Sequence, residues 1–339
     1  MRVLLVTSWE TPCGIAEHSR LLREYVQRAD PDIEITPSSA ALDPEQLEGS
    51  TWSGDLIHLN HHDALHARWT PDHVARITAR GIPVLVTYHD TTEDPSPTSK
   101  LAQLARVASS VVVHEPLHPD CRVKAIYWRQ GIPDAAREPY LYRAVDNRCW
   151  WEPRPLLFKA YLQQPVLGAV GFHFPWKNYD RLCVETASLG WAIVILANNA
   201  TEADAVRWHT LNPDALVIRT WLDTPRVVNY LAGCDATAFM YECANTGTSG
   251  AIRLGIAARK PVIALESCRQ FRDLRLWEEE NRLDTTVISW VRDWEGFRGI
   301  LHGCGSTRYD PYIHMLAEQD SWQRLGQQYA QLYRMLAAK

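Results

Sequence analysis

The sequence has no long run of basic residues, and its 40 Asp and Glu outnumber its 35 Lys and Arg, giving a net charge of −5. That balance disfavours a protein whose affinity comes mainly from neutralising nucleic-acid phosphates. Nor does any apolar stretch approach the roughly 20 residues of a membrane-spanning helix, so no stable membrane insertion is expected. The opening MRVLLVTSW holds only a short apolar run without a small-residue cleavage site, and reads as a first strand. CxxC pairs are absent, and the eight cysteines (13, 121, 149, 183, 234, 243, 268, 304) lie scattered. In a chain of this size they read as reduced thiols of a cytoplasmic protein rather than as a disulfide framework. Fixed-period repeats and low-complexity tracts are also missing.

At 339 residues the chain exceeds one comfortable core, so two domains are expected. Fourteen tryptophans are the compositional oddity; some suit stacking on a sugar or base, and most belong in the core. Strands are expected at Arg2–Ser8, Leu56–Asn60, Ile82–Tyr88, Val111–His114 and Ala125–Trp128. Helices are expected at Ala16–Gln27, from the Thr70–Pro71 cap to Arg80, and at Lys100–Ser109. Continuous apolar strands alternating with helices give a parallel sheet covered on both faces. The pattern weakens from Asp134 to about Lys159, which reads as a long connection. It restarts with strands Pro165–Gly171, Trp191–Ala197 and Ala215–Trp221, helices Tyr179–Leu189 and Glu202–Leu211, and a helix capped by Thr224 and Pro225. Ser321–Leu336 is an amphipathic helix. The expected class is α/β, with Rossmann-like domains at 1–160 and 161–318 whose parallel sheets face a central cleft.

Several loops after strands carry candidate chemistry. The stretch Asp235 to Ala264, DATAFMYECANTGTSGAIRLGIAARKPVIA, reads as strand, small-residue loop, helix and strand. Glycines and hydroxyls there put free backbone N–H groups and the positive helix end where a phosphate can sit. A plain N-cap is the competing reading, at about even weight on this stretch alone. In WETPCGI, Gly14 stands just before a helix and allows close backbone approach to an anion. NHHDALH, from Asn60 to His66, spaces His62 and His66 at i and i+4, which suits a metal on a helix. No Cys or Glu completes a ligand set, so polar groups lining a substrate site are favoured and no metal is assigned. His89 and Asp90 end the strand PVLVTYHD, where such a pair can orient a hydroxyl or act as base; a capping Asp90 beside a packed His89 is the plainer reading. In GFHFPWKNYD, Lys177 precedes a helix and suits a diphosphate as a flexible point charge.

Taken in order, CGIAEHSRLL, DLIHL, PVLVTYHD, SSVVVHE, AIYWRQGIPD, GFHFPWKNYDRL and DATAFMY…TGTSGAIRLGIAARKPVIA resemble the retaining family 4 glycosyltransferases of the GT-B architecture. SWQRLGQQYAQLY is similar to that family's closing helix, which implies that 319–339 packs back on the first domain. The resemblance implies sugar transfer from a nucleotide-diphosphate sugar, without metal or other cofactor. It assigns catalytic roles to His89 and Lys177. Donor contacts fall to Gly14, Ile15, Lys177, Glu242, Thr246, Gly247, Thr248, Ser249 and Gly250, with base and ribose near Arg219–Trp221. Acceptor contacts fall to Asn60, His61, His62, Asp63 and Asp90, for an acceptor that is a small molecule, a glycan or modified nucleic acid. Two departures stand out: Phe172 occupies the place of the family's arginine, and Thr246 and Leu254 occupy those of its paired glutamates. TGTSGAIR resembles a variant branch with small hydroxyl residues at this point. A GT-B-shaped binding protein without turnover is therefore a second reading.

Overall fold

The computed structural model describes residues 1–49, 53–90, 94, 96–135, 164–242, 248–283, 287–303 and 312–338. In chain order its first elements are β1 (Arg2–Thr7), α1 (Gly14–Ala29), β2 (Glu34–Ser39), α2 (Pro44–Gly49), β3 (Leu56–His61), α3 (Pro71–Ala79), β4 (Val84–Tyr88), α4 (Lys100–Val107), β5 (Ser110–Val113) and β6 (Ile126–Tyr127). Then come β7 (Val166–Val170), a 3₁₀ turn (Pro175–Lys177), α5 (Tyr179–Ser188), β8 (Ala192–Leu196), α6 (Glu202–Leu211), β9 (Ala215–Ile218), α7 (Thr224–Ala232), β10 (Ala236–Phe239), α8 (Gly250–Ala257) and β11 (Val262–Leu265). The last are α9 (Arg272–Glu280), β12 (Ile288–Val291), α10 (Trp294–Gly303), α11 (Tyr312–Gln319) and α12 (Trp322–Ala337). Most of the connection read from Asp134 to Lys159 lies outside the described residues.

The chain forms two compact units. As far as it is described, the first comprises residues 1–131, Thr248 and 320–338. Its six parallel strands run β2-β1-β3-β4-β5-β6. β3 and β4 are buried along their whole length, as continuous apolar strands between two helical layers must be. Thr70 caps α3 in a reciprocal box with His73, and Pro71 follows at the first helical position.

The C-terminal helix belongs to this unit and lies on α1. Tyr25 and Trp322 stack with centroids 6.3 Å apart, and Arg334 grips Asp30 through two bonds of 2.8 and 2.9 Å. The helices meet where Gly326 has no side chain, because a Cβ there would stand 2.7 Å from the backbone carbonyl carbon and oxygen of Tyr25. Gly326→Ala should therefore destabilise the protein by about 1–3 kcal/mol, the cost of overpacking. Helix propensity alone favours alanine by about 1 kcal/mol, so the two effects have opposite signs. A urea midpoint that rises in this variant would show that the helices do not pack this closely.

As far as it is described, the second unit comprises residues 132–242 and 249–319, and its six parallel strands run β12-β11-β10-β7-β8-β9. Aromatics fill much of its core, with Trp208, Trp277, Phe239 and Phe271 fully buried. One sequence assignment needs correction here. Asp223, not Thr224, caps α7, its side chain accepting from the Arg226 N–H at 3.0 Å, and Thr224 is the first helical residue.

Candidate functional site

In an open parallel sheet a ligand binds beyond the strand ends where strand order reverses direction. In the second unit that point lies between β7 and β10, which are neighbours although three strands apart in sequence. β7 ends on Gly171, whose φ of +128° is open to glycine and costly for other residues. The following turn folds back so that a Cβ on Gly171 would lie 2.1 Å from Lys177 Nζ; the missing side chain makes room for the ammonium. Asn178, at φ +58°, anchors the turn by donating to Met240 O at 2.9 Å. Lys177 is only 5% exposed, with Nζ 4.7 Å from the ring centroid of Tyr241 and 5.4 Å from that of Trp176. These π-faces stabilise a cation removed from water. Tyr241 in turn donates to Val170 O at 2.9 Å, which ties the ends of the two strands together.

The loop after β10 leads to α8. Ser249 is its N-cap residue, yet the hydroxyl makes no capping bond. The plain N-cap reading is thus not realised, and the first-turn N–H groups from Gly250 onward have no intrahelical partner. Two of the groups expected to meet a phosphate already have protein partners. The Ser249 N–H donates to Gln270 O at 3.2 Å, and the Thr248 hydroxyl donates to His114 O at 2.9 Å, so neither group is free for a ligand. Gly250 itself is exposed. Thr246 and Gly247 lie outside the described residues. Glu242 is exposed, its Oε1 accepting from the Trp294 indole at 3.0 Å.

Sequence reasoning missed Arg253. This guanidinium is 2% exposed, bonds Ser249 O at 2.7 Å and pairs with the equally buried Asp273 of α9. It fixes the backbone at the start of α8 from within the core. The signal was weak, because an arginine inside GAIRLGIA reads as a solvated helix residue. Beside β7 and β9, Phe172 packs with Phe174 and Trp221 at centroid distances of 6.1 and 6.4 Å. Phe174 and Trp221 are among the most exposed large apolar side chains described.

In the first unit the strand order reverses between β1 and β3. Gly14 is the first residue of α1 and is exposed, next to half-buried Ile15. Cys13 caps this helix, its Sγ accepting from the Ala16 N–H at 3.4 Å. Asn60, expected to touch an acceptor, is instead fully buried at the centre of a hydrogen-bonded chain. Its amide donates to Ser19 Oγ and reaches His18 Nδ1 at 3.4 Å, while its Oδ1 accepts from His89 Nε2. His18 Nε2 stands 3.0 Å from His114 Nε2, and His114 Nδ1 donates to Trp128 O at 2.7 Å. With His114 neutral, these partners fix every tautomer, and His89 is left with Nδ1 as its acceptor nitrogen.

Burial holds His18 and His89 well below the usual histidine range, helped in each case by neighbouring imidazoles. Burial likewise pushes His58 down to about 3, where it bonds Tyr333 at 2.6 Å and Thr87 at 2.7 Å. His89, Asp90, His114, Glu115, Gln130, Tyr88 and Thr248 line a small polar recess. His18, Glu115 and Gln130 were not singled out from sequence, although the strand end VVVHE was a place to look.

The loop after β3 is a turn rather than a helix, so His62 and His66 do not form the i, i+4 pair that their spacing allows. His66 Nδ1 accepts from the His62 N–H at 3.1 Å instead. His61 is fully buried, so its side chain does not reach solvent; His62 and Asp63 are more open. The Asp63 N–H donates to Asp90 Oδ2 at 2.7 Å, joining this loop to the one after β4. Burial, followed by repulsion from Asp63, raises the Asp90 carboxyl above the usual range, against the lowering effects of its hydrogen bond, His62 and Lys100.

No protein-family model matches the sequence, and no curated protein matches it. Solved structures do match over the whole chain. One is Alr3699/HepE of Anabaena in complex with UDP and glucose, with 12% identity and a TM-score of 0.63 over 99% of this chain and 100% of that one. A glycosyltransferase from Rickettsia africae gives 12% identity and a TM-score of 0.65 over 99% and 98%. AviGT4, a glycosyltransferase involved in avilamycin A biosynthesis, gives 14% and 0.57 over 100% and 98%. At these identities the likeness concerns the fold, and the chain has the GT-B fold: two parallel six-stranded sheets with flanking helices, and a C-terminal helix returned to α1.

Proposed function

We propose that this protein transfers a hexose or related sugar from a nucleotide-diphosphate sugar to an acceptor, with retention of configuration. The observation that carries the reading is the pairing, at the switch point of the second unit, of a buried lysine ammonium with an uncapped helix start. Both suit a leaving diphosphate, whose negative charge grows as the glycosidic carbon–oxygen bond breaks. Lys177 and the N–H groups from Gly250 onward stabilise that charge without an ion on the phosphates. Phe172, Phe174 and Trp221 offer π-faces for the nucleobase. On the first unit, His89 accepts a sugar hydroxyl through Nδ1, while Gly14 and Ile15 approach the donor. His62, Asp63 and Asp90 contact the acceptor. The buried cysteines Cys183, Cys234 and Cys268 suit the reducing cytoplasm.

A thermal-shift screen of the purified protein across nucleoside diphosphates and their sugars tests this. One base should raise the melting temperature by mass action, and its sugar nucleotide should release diphosphate on turnover. No shift and no turnover with any of them would remove the proposal. Because Phe172 stands where the resembling family carries arginine, a shift without turnover would favour the binding-protein reading.

Lys177→Met fills the same space without charge. It should weaken nucleoside-diphosphate binding by about 1.5–3 kcal/mol, the range for a hydrogen bond to a charged group. Calorimetry on the folded variant measures this, and an unchanged affinity would take Lys177 out of the site.

A further inference from the structure

We propose that His61, Asp63 and Asp90 bind a divalent first-row transition ion of the Zn²⁺ or Mn²⁺ kind, which fastens the loop after β3 to the loop after β4. The inference does not rest on the transfer reaction, and none of these residues is assigned to the diphosphate.

The central observation is His61. Its side chain is 0% exposed, and neither ring nitrogen has a hydrogen-bond partner among the described residues. Leaving a buried polar group unpaired is costly, so an imidazole with two such nitrogens calls for a ligand. Both ring faces are covered, by Tyr88 at 5.5 Å and 16° and by His66 at 5.6 Å and 25°. Only the ring edge, where the nitrogens point, faces other groups.

Those groups are carboxylates. Nε2 lies 3.7 Å from Asp63 Oδ1, and Nδ1 lies 3.8 Å from Asp90 Oδ2. These separations are too long for hydrogen bonds. An ion takes only one ring nitrogen, and at either one the nitrogen and its carboxylate oxygen stand as far apart as two atoms each about 2.1 Å from a metal at roughly 110–130°, which is about 3.4–3.8 Å. The other nitrogen keeps its proton toward the second carboxylate. One donor atom from each of the three residues lies within 4.8 Å of the others. His62 Nε2, 3.6 Å from Asp90 Oδ1, offers a fourth donor.

Charge and access agree with this. Two carboxylates outweigh the single ammonium of Lys100 that acts on the cluster. Asp63 is 48% exposed, which gives an ion a route in and leaves room for water ligands. A donor set mixing imidazole with carboxylate suits Zn²⁺ or Mn²⁺, whereas Ca²⁺ and Mg²⁺ prefer oxygen alone. Sequence spacing pointed at His62 with His66; the fold selects His61 with two aspartates from neighbouring strand ends.

The test is calorimetric titration of the full chain with Zn²⁺, after stripping with EDTA and desalting. One ion per chain should bind, and Asp63→Asn and Asp90→Asn should each weaken binding by roughly tenfold or more. Saturating Zn²⁺ should raise the melting temperature of the unmodified protein and not that of Asp63→Asn. Asp63 is exposed enough for this variant to fold even if Asp90→Asn does not. Failure to take up Zn²⁺, or uptake of equal affinity by Asp63→Asn, would overturn the proposal, the second result meaning that other histidines or cysteines hold the ion.

Discussion

Gly250→Val should abolish nucleoside-diphosphate binding, lowering affinity by more than about 100-fold while the chain stays folded, because the branch stands where phosphate must approach the helix start. Gly250 is the first residue of α8 and is exposed, so the added methyl groups meet solvent rather than core. Ser249→Ala should cost much less. Its hydroxyl caps nothing, its N–H is held by Gln270 O, and its carbonyl is held by Arg253, and alanine keeps both backbone contacts. Were the loop merely a cap, the emphasis would reverse: Ser249→Ala would lower the melting temperature by the roughly 1 kcal/mol typical of a lost cap, and Gly250→Val would leave binding intact. Melting temperature and nucleotide affinity measured on both variants separate these cases. A folded Gly250→Val protein with normal affinity would end the phosphate-cradle assignment and most of the donor-site argument.

What could be read from sequence follows the physics of each element. β3, β4, β7 and β8 are continuous apolar runs buried on both faces, and their places were clear to within a residue or two. β2 was missed because EITPSS is polar, contains proline and forms a sheet edge, where only β1 pairs with it. In the α9–α11 region charged residues blur helical periodicity, so no local pattern marks its elements. Lys177 was nameable as a loop cation, but its burial between Tyr241 and Trp176 depends on the ends of two strands meeting. Asn60 and His61 were nameable as strand-end polar groups. Their burial, and the bond from Asn60 to His89, required contacts 29 residues apart that no local pattern encodes. The same holds for the Ser249 N–H, which is held by Gln270 from the far side of β11.

Acidification should unfold the first unit well before carboxylate protonation alone would do so. His58 and His18 are buried and neutral, the first pushed down to about 3 and the second held well below the usual range. Facing His58 are Tyr333 and Tyr329 from α12, Thr87 from β4 and His114 beyond β5. Facing His18 are His89, His114, Asn60 and Trp322. None of these neighbours carries a negative charge to stabilise an imidazolium. Between the folded values and the unfolded value of about 6.5 the unfolded chain binds more protons, so stability is full above that pH and falls as pH drops toward about 3. Each such histidine removes roughly 1.4 kcal/mol per pH unit in this window. At about pH 4.5 His58 alone removes roughly 2.7 kcal/mol, and His18 acts in the same direction. Urea melts at successive pH values should therefore give a slope of at least about two protons between pH 6 and 5. His58→Gln should lower that slope by about one proton, a change that loss of packing alone does not produce. A stability that stays flat across this range would mean that water or charge reaches these histidines in the folded protein.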